Sequence, residues 1–175
     1  KGASVKLYYN LANAYYRTDN ITQAVLNYER ALLLSPGDDD IRFNLQMARS
    51  KTIDKISPQP EMFFVTWYKA SANITSVDGW TRLSVISFSL ALILTLCYLF
   101  GSSLLLRKTG FFGGCLFILV FILSIVFANE QRTILTNRTG AVVISSSVAL
   151  RKTPVATSDQ TTIIHEGTRM TIKDD

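Results

Sequence analysis

Residues 83–106 read LSVISFSLALILTLCYLFGSSLLL and residues 110–128 read GFFGGCLFILVFILSIVFA, two runs of 24 and 19 residues without a charge. As helices rising about 1.5 Å per residue they would reach about 36 and 28 Å, against roughly 30 Å of bilayer hydrocarbon. Only Arg107, Lys108 and Thr109 separate them. So short a connection predicts an antiparallel transmembrane hairpin with both chain ends on one face of the lipid. The competing reading, two core helices of a soluble protein, fits less well, because such helices are seldom apolar all round for this length. Trp80 before the first run, and the cluster Phe63, Phe64, Trp67 and Tyr68 upstream of it, suit a membrane interface where amphipathic rings are half wetted. Trp67 and Tyr68 have the alternative of packing on the preceding helices.

Charge sets an orientation for the hairpin. Arg107 and Lys108 sit without an acid, whereas the outer flanks mix Lys69 and Arg82 with Glu61 and Asp78, and Arg132 and Arg138 with Glu130. The positive-inside tendency then puts the connection in the cytoplasm and the soluble parts outside it. Gly110 and Gly114 form a G-x-x-x-G, and Ser84, Ser87 and Ala91 place small residues along the other run. Close backbone approach there would pack the hairpin or join it to another membrane protein. Cys97 and Cys115 lie within the runs, where a thiol behaves as a small apolar group. Neither run carries an Asp, Glu, Lys, Arg or His, which argues against moving ions or protons.

The remaining composition narrows the classes further. Of 175 residues, 48% are hydrophobic and 18% charged, which excludes a disordered chain, and two cysteines exclude a disulfide-stapled miniature domain. The net charge of +5 is spread as about +2 up to Pro60, +2 from Glu61 to Ala128 and +1 afterwards. No segment is a basic patch, so nucleic-acid binding has no support.

The front third repeats itself. Tyr9-Asn10-Leu11-Ala12-Asn13-Ala14 returns as Phe43-Asn44-Leu45-Gln46-Met47-Ala48, 34 residues later. Between them stand a break at Thr18–Asn20, an apolar-periodic stretch from Ile21 to Leu34 and a stop at Pro36-Gly37. Helix, turn, helix, stop at this period resembles the tetratricopeptide repeat. Tyr8, Leu11, Ala12, Tyr15, Ala24, Tyr28, Ala31 and Pro36 fall on its eight signature positions, with Tyr8 for the usual Trp and Ala12 for the usual Gly. The alanines allow close helix approach, and Tyr8, Leu11, Tyr15 and Tyr28 are expected to fill the gap between the paired helices. Pro36 cannot continue the second helix. Asp38, Asp39 and Asp40 should cap and favour a third helix over about Ile41–Ile56. The second unit then departs, with Arg49 where an aromatic is expected and Lys51, Lys55 and Pro58 following, in the manner of a solvating cap. One and a half repeats bury little core, so further repeats upstream are expected.

The resemblance implies a concave face that binds an extended peptide. Here it would carry Lys6, Tyr9, Asn13, Tyr16 and Arg17, with Asn44 from the next unit. Peptide-binding relatives use asparagines at the Asn13 and Asn44 positions on the ligand backbone, but their lysine is Tyr9 here, which does not favour a carboxylate clamp. The alternative is that these are solvated polar residues.

After Ala128 the pattern alternates. Gly140–Ile144, Val148–Leu150 and Arg169–Lys173 read as short strands, with turns at Thr153-Pro154 and Glu166-Gly167. Val148 to Arg151, Pro154 and Glu166 to Thr168 resemble the bacterial SH3-like domain, whose closing strands would lie beyond Asp175. His165 has no acid or cysteine at informative spacing and reads as a surface residue at a strand end.

The fold class expected is therefore a multi-domain membrane protein. It comprises an all-α tetratricopeptide array (1–57), an aromatic linker (58–82), two transmembrane helices (83–106 and 110–128) and an incomplete all-β SH3-like barrel (138–175). That order resembles BatE-type proteins of the Bacteroides aerotolerance (Bat) operon. The resemblance implies an inner-membrane scaffold with periplasmic soluble domains. Its partners would be Bat-type membrane proteins with von Willebrand A domains, in a complex linked to oxidative or envelope stress. A cell-wall component that binds peptidoglycan through residues 138–175 is the alternative. No cofactor or metal is expected, and no nucleophile–base pair, metal-ligand spacing or phosphate loop points to an enzyme.

Overall fold

The computed structural model of the chain describes residues 4–55, 61–137, 139–151 and 160–172. The chain divides into two compact units, residues 1–61 with 137–175 and residues 62–136. Ile56, Pro58, Pro60, Arg138, the Thr153-Pro154 turn and Lys173 lie outside the described residues.

The first unit opens with three helices whose ends are written in side chains. α1 (Val5–Arg17) starts where Ser4 Oγ accepts the Leu7 amide, and it stops at Thr18, before Asp19 turns to φ 59°. α2 (Ile21–Leu34) starts on Asn20, which accepts the Gln23 amide at 3.2 Å. α3 (Asp39–Ser50) starts on Asp38, which accepts the amides of Asp40 and Ile41, while Asp39 and Asp40 add negative charge to the first turn. Such caps satisfy donors that a helix start leaves unpaired. Ala12, Ala24, Val25, Ala31 and Ala48 are fully buried, and their small size admits Tyr28 and Leu45 between the helices.

Two expectations about this region are corrected. Leu11 is 38% exposed and does not fill the gap, because it stands about 100° round α1 from buried Ala12. α3 stops at Ser50, well short of Ile56. There the Lys55 ammonium donates to the carbonyls of Ser50 at 2.5 Å and Thr52 at 2.8 Å, closing the helix end.

Four strands complete the first unit: β1 (Gly140–Val142), β2 (Ser147–Arg151), β3 (Gln160–His165) and β4 (Arg169–Thr171). β1 pairs antiparallel with β4, Val142 opposite Arg169; β2 pairs antiparallel with β3, Val148 opposite Ile164. The turn at Glu166-Gly167 falls where expected, with Gly167 at φ 80°. A closed barrel is not formed among the described residues. The strands pair only in twos, and every residue of β2 is exposed. Val142 packs on the helical core, so the front and back thirds of the chain belong to one unit instead of two independent domains.

The second unit holds α4 (Phe63–Ala72), α5 (Val77–Phe100) and α6 (Leu104–Asn137). The aromatic stretch expected as a linker is thus helical. α5 and α6, with 24 and 34 residues, are long and apolar enough to cross a membrane. Ile86, Leu92, Ile93, Leu119 and Ile122 are exposed along them, unlike the side chains of a soluble core helix. The turn between them falls at residues 101–103, six residues ahead of the Arg107–Thr109 connection expected. Gly101 ends α5, and Ser103 Oγ accepts the Leu106 amide at 3.2 Å, so Leu104 to Leu106 join the second helix. Arg107 and Lys108 consequently stand in the first turns of α6, with the Arg107 guanidinium 5.8 Å from the Tyr98 ring centroid.

Candidate functional site

The face expected to bind peptide is carried mainly by α1. Tyr9, Asn13 and Tyr16 recur at helical spacing and are each half-buried, with Lys6 and Arg17 exposed at either end. Asn44 on α3 donates its amide to the Tyr9 hydroxyl at 2.7 Å, which brings the two repeat units together. Asn13 Oδ1 accepts the Tyr28 hydroxyl at 2.5 Å, and the Tyr9 and Tyr28 rings stand 6.1 Å apart. Burial raises the Tyr28 pKa above the usual phenol value, reinforced by the neighbouring Tyr9 and Tyr16 and opposed by Arg17. Tyr28 therefore stays a neutral donor to Asn13. The Lys51 ammonium sits 4.5 Å from the Tyr16 ring centroid and 3.5 Å from Asp19 Oδ1. Both asparagines assigned to a ligand backbone are thus engaged among the three helices. The exposed cations Lys6 and Arg17 project from the same helix.

Three contacts that join the N-terminal helical segment to the C-terminal strand segment have no counterpart in a local sequence pattern. Asp54 Oδ2 accepts the His165 amide and the Thr168 hydroxyl, both at 2.7 Å, and its Oδ1 lies 2.9 Å from His165 Nδ1. These bonds, the His165 amide first, lower the Asp54 pKa to about 2. His165 is therefore not a bare strand-end residue but half of a clasp. Thr22 on α2 donates to Glu166 at 3.0 Å. Glu29, buried on α2, is bonded by Arg49 of α3, and Arg169 of β4 lies 3.4 Å from its other oxygen. Arg49 in an aromatic position was the visible signal of this cluster. It answers a buried carboxylate where the repeat ordinarily packs a ring.

In the second unit, Gly110 abuts the backbone of α5. A Cβ there would stand 2.7 Å from Leu94 O and from Tyr98 N. At Gly114 the nearest atom would be Thr95 Oγ1 at 3.7 Å, an ordinary contact. Gly110 hence packs the helix pair, and Gly114 needs its missing side chain far less. Tyr68 packs on Phe127 with centroids 5.6 Å apart, whereas Trp67 is exposed.

Comparison with known families matches residues 5–38 to the tetratricopeptide repeat. Comparisons with curated proteins and with solved structures give no match. The matched span contains α1, α2 and the buried Pro36. Residues 5–38 of this chain are a tetratricopeptide repeat.

Proposed function

We propose that the chain is a non-catalytic membrane scaffold, in which the repeat captures a segment of another protein and α5 with α6 holds it at a bilayer. The observation that carries this reading is the tetratricopeptide repeat at 5–38, a unit that generally binds proteins. Support for the hairpin comes from the first unit, which is built from residues on both sides of the two long apolar helices. Those residues share a compartment when the chain crosses and returns. Arg107 and Lys108 near the turn favour a cytoplasmic turn and a periplasmic soluble unit at the inner membrane. The order of segments favours a Bat-type complex with von Willebrand A-type partners, linked to aerotolerance or envelope stress. An SH3-like, peptidoglycan-binding role for the strands has less support, because Glu166 and Thr168 of its hallmark turn are engaged by Thr22 and Asp54.

The test is photo-crosslinking in native membranes from the exposed Lys6 and Arg17 positions of the full chain. Both positions are expected to trap the same protein, and Lys6→Glu with Arg17→Glu to abolish its co-purification while the circular dichroism is unchanged. Undiminished co-purification with the doubly reversed charge refutes capture by this face.

A further inference from the structure

We infer that α4 lies in the headgroup layer of the membrane as a third lipid contact, beside the hairpin; this rests on the reading of α5 and α6 as spans. The helix has three faces. Tyr68 and Ala72 turn inward, where Tyr68 meets Phe127 and Ala72 is buried with Trp80 and Phe127, and Val65 on the same side is half-buried. Thr66 and Lys69 form a polar edge. The third face is Phe63, Trp67, Ala70 and Ile74, spaced as one stripe along the helix and the turn that follows it. Phe63, Trp67 and Ile74 are 85%, 69% and 67% exposed, and Phe64 beside them is 53% exposed. An apolar stripe of this size is costly to leave in water.

The position of the helix selects the occupant. The Ala72 carbonyl accepts two bonds, from Trp80 Nε1 at 2.9 Å and from Gln131 Nε2 at 3.0 Å, and Gln131 also donates to Asn73 Oδ1 at 2.6 Å. Trp80 stands just before the uncharged run of α5, and Gln131 just after the run of α6 that ends at Ala128. Both donors thus mark the level at which the apolar surface gives way to Arg82, Glu130 and Arg132. The clamp fixes the C-terminal end of α4 at that level. Phenylalanine and tryptophan at this depth, with a lysine on the polar edge, fit a helix lying along a lipid interface.

Tryptophan fluorescence of the full chain in phosphatidylcholine vesicles tests this, since the chain has two tryptophans. The contribution of Trp67 is read as the difference between wild type and Trp67→Phe, which leaves the Trp80 clamp intact. Leu119→Trp in the Trp67→Phe background reports on a lipid-facing position within α6. The expected result is loss of Trp67 emission in lipids brominated near the headgroup, less loss with bromine near the chain terminus, and the reverse order for Leu119→Trp. Trp67 that is quenched freely by acrylamide and not by brominated lipid, while Leu119→Trp is quenched by it, overturns the placement of α4 and leaves the hairpin standing. Trp67 shielded from both quenchers also overturns it and points to a protein on that face. Absence of quenching at Leu119→Trp overturns the hairpin and this proposal together.

Discussion

At Gly110 the space between two helices is smaller than a methyl group. Gly110→Ala is expected to cost about 1–3 kcal/mol through overpacking against the Leu94 and Tyr98 backbone. Gly114→Ala should stay within about 0.5 kcal/mol. Denaturant unfolding of the full chain in detergent measures both, and equal losses would contradict a backbone approach at Gly110 that Gly114 does not share. Asp54 makes a second prediction at this scale. Its carboxyl ionises at about 2 in the folded chain, below the unfolded aspartate value of about 3.9. A depressed pKa means the ionised clasp stabilises fully above the unfolded value and is lost as pH falls through the folded one. The gap in unfolding midpoint between wild type and Asp54→Asn is therefore expected to be level near neutrality and to narrow between about pH 4 and pH 2. A gap that held its neutral value at the acid end would show that ionised Asp54 is not what ties His165 and Thr168.

Among elements, α2, α3 and β4 meet at Glu29. Replacing Arg49 by Met leaves a buried carboxylate with weaker compensation and should cost about 1–3 kcal/mol, discounted from a fully buried pair because Arg49 and Arg169 are partly exposed. Adding Glu29→Gln should recover part of that loss, and a double variant no better than Arg49→Met would contradict the pairing. What the sequence revealed at this scale followed local periodicity. Alanines and aromatics spaced over 34 residues declared α1 and α2, and three aspartates declared the start of α3. The clasp was hidden because Asp54 and His165 lie 111 residues apart, and no local period links them. The turn between α5 and α6 was hidden for another reason. Lack of charge ran unbroken through residues 101–103, whereas the break was written by a glycine and a capping serine. β3 is not legible in the sequence because its apolar pair, Ile163 and Ile164, is short and preceded by polar residues.

At the scale of the molecule, the repeat and the strands fold together although two long apolar helices separate them in the chain. That arrangement supports the reading of the pair as a hairpin that returns to its starting side. It also changes what the C-terminal strands do. With Val142 on the helical core and Glu166, Thr168 and Arg169 bonded or paired to α2 and the residues following α3, they brace the end of the repeat. The most direct measurement uses single cysteines at Ser50, Ser145 and Lys108 in a chain carrying Cys97→Ser and Cys115→Ser, probed with a membrane-impermeant maleimide on intact spheroplasts. The account expects Ser50→Cys and Ser145→Cys to react from the same side, and Lys108→Cys to react only after the membrane is opened. Labelling of Ser50→Cys and Ser145→Cys from opposite sides would contradict it.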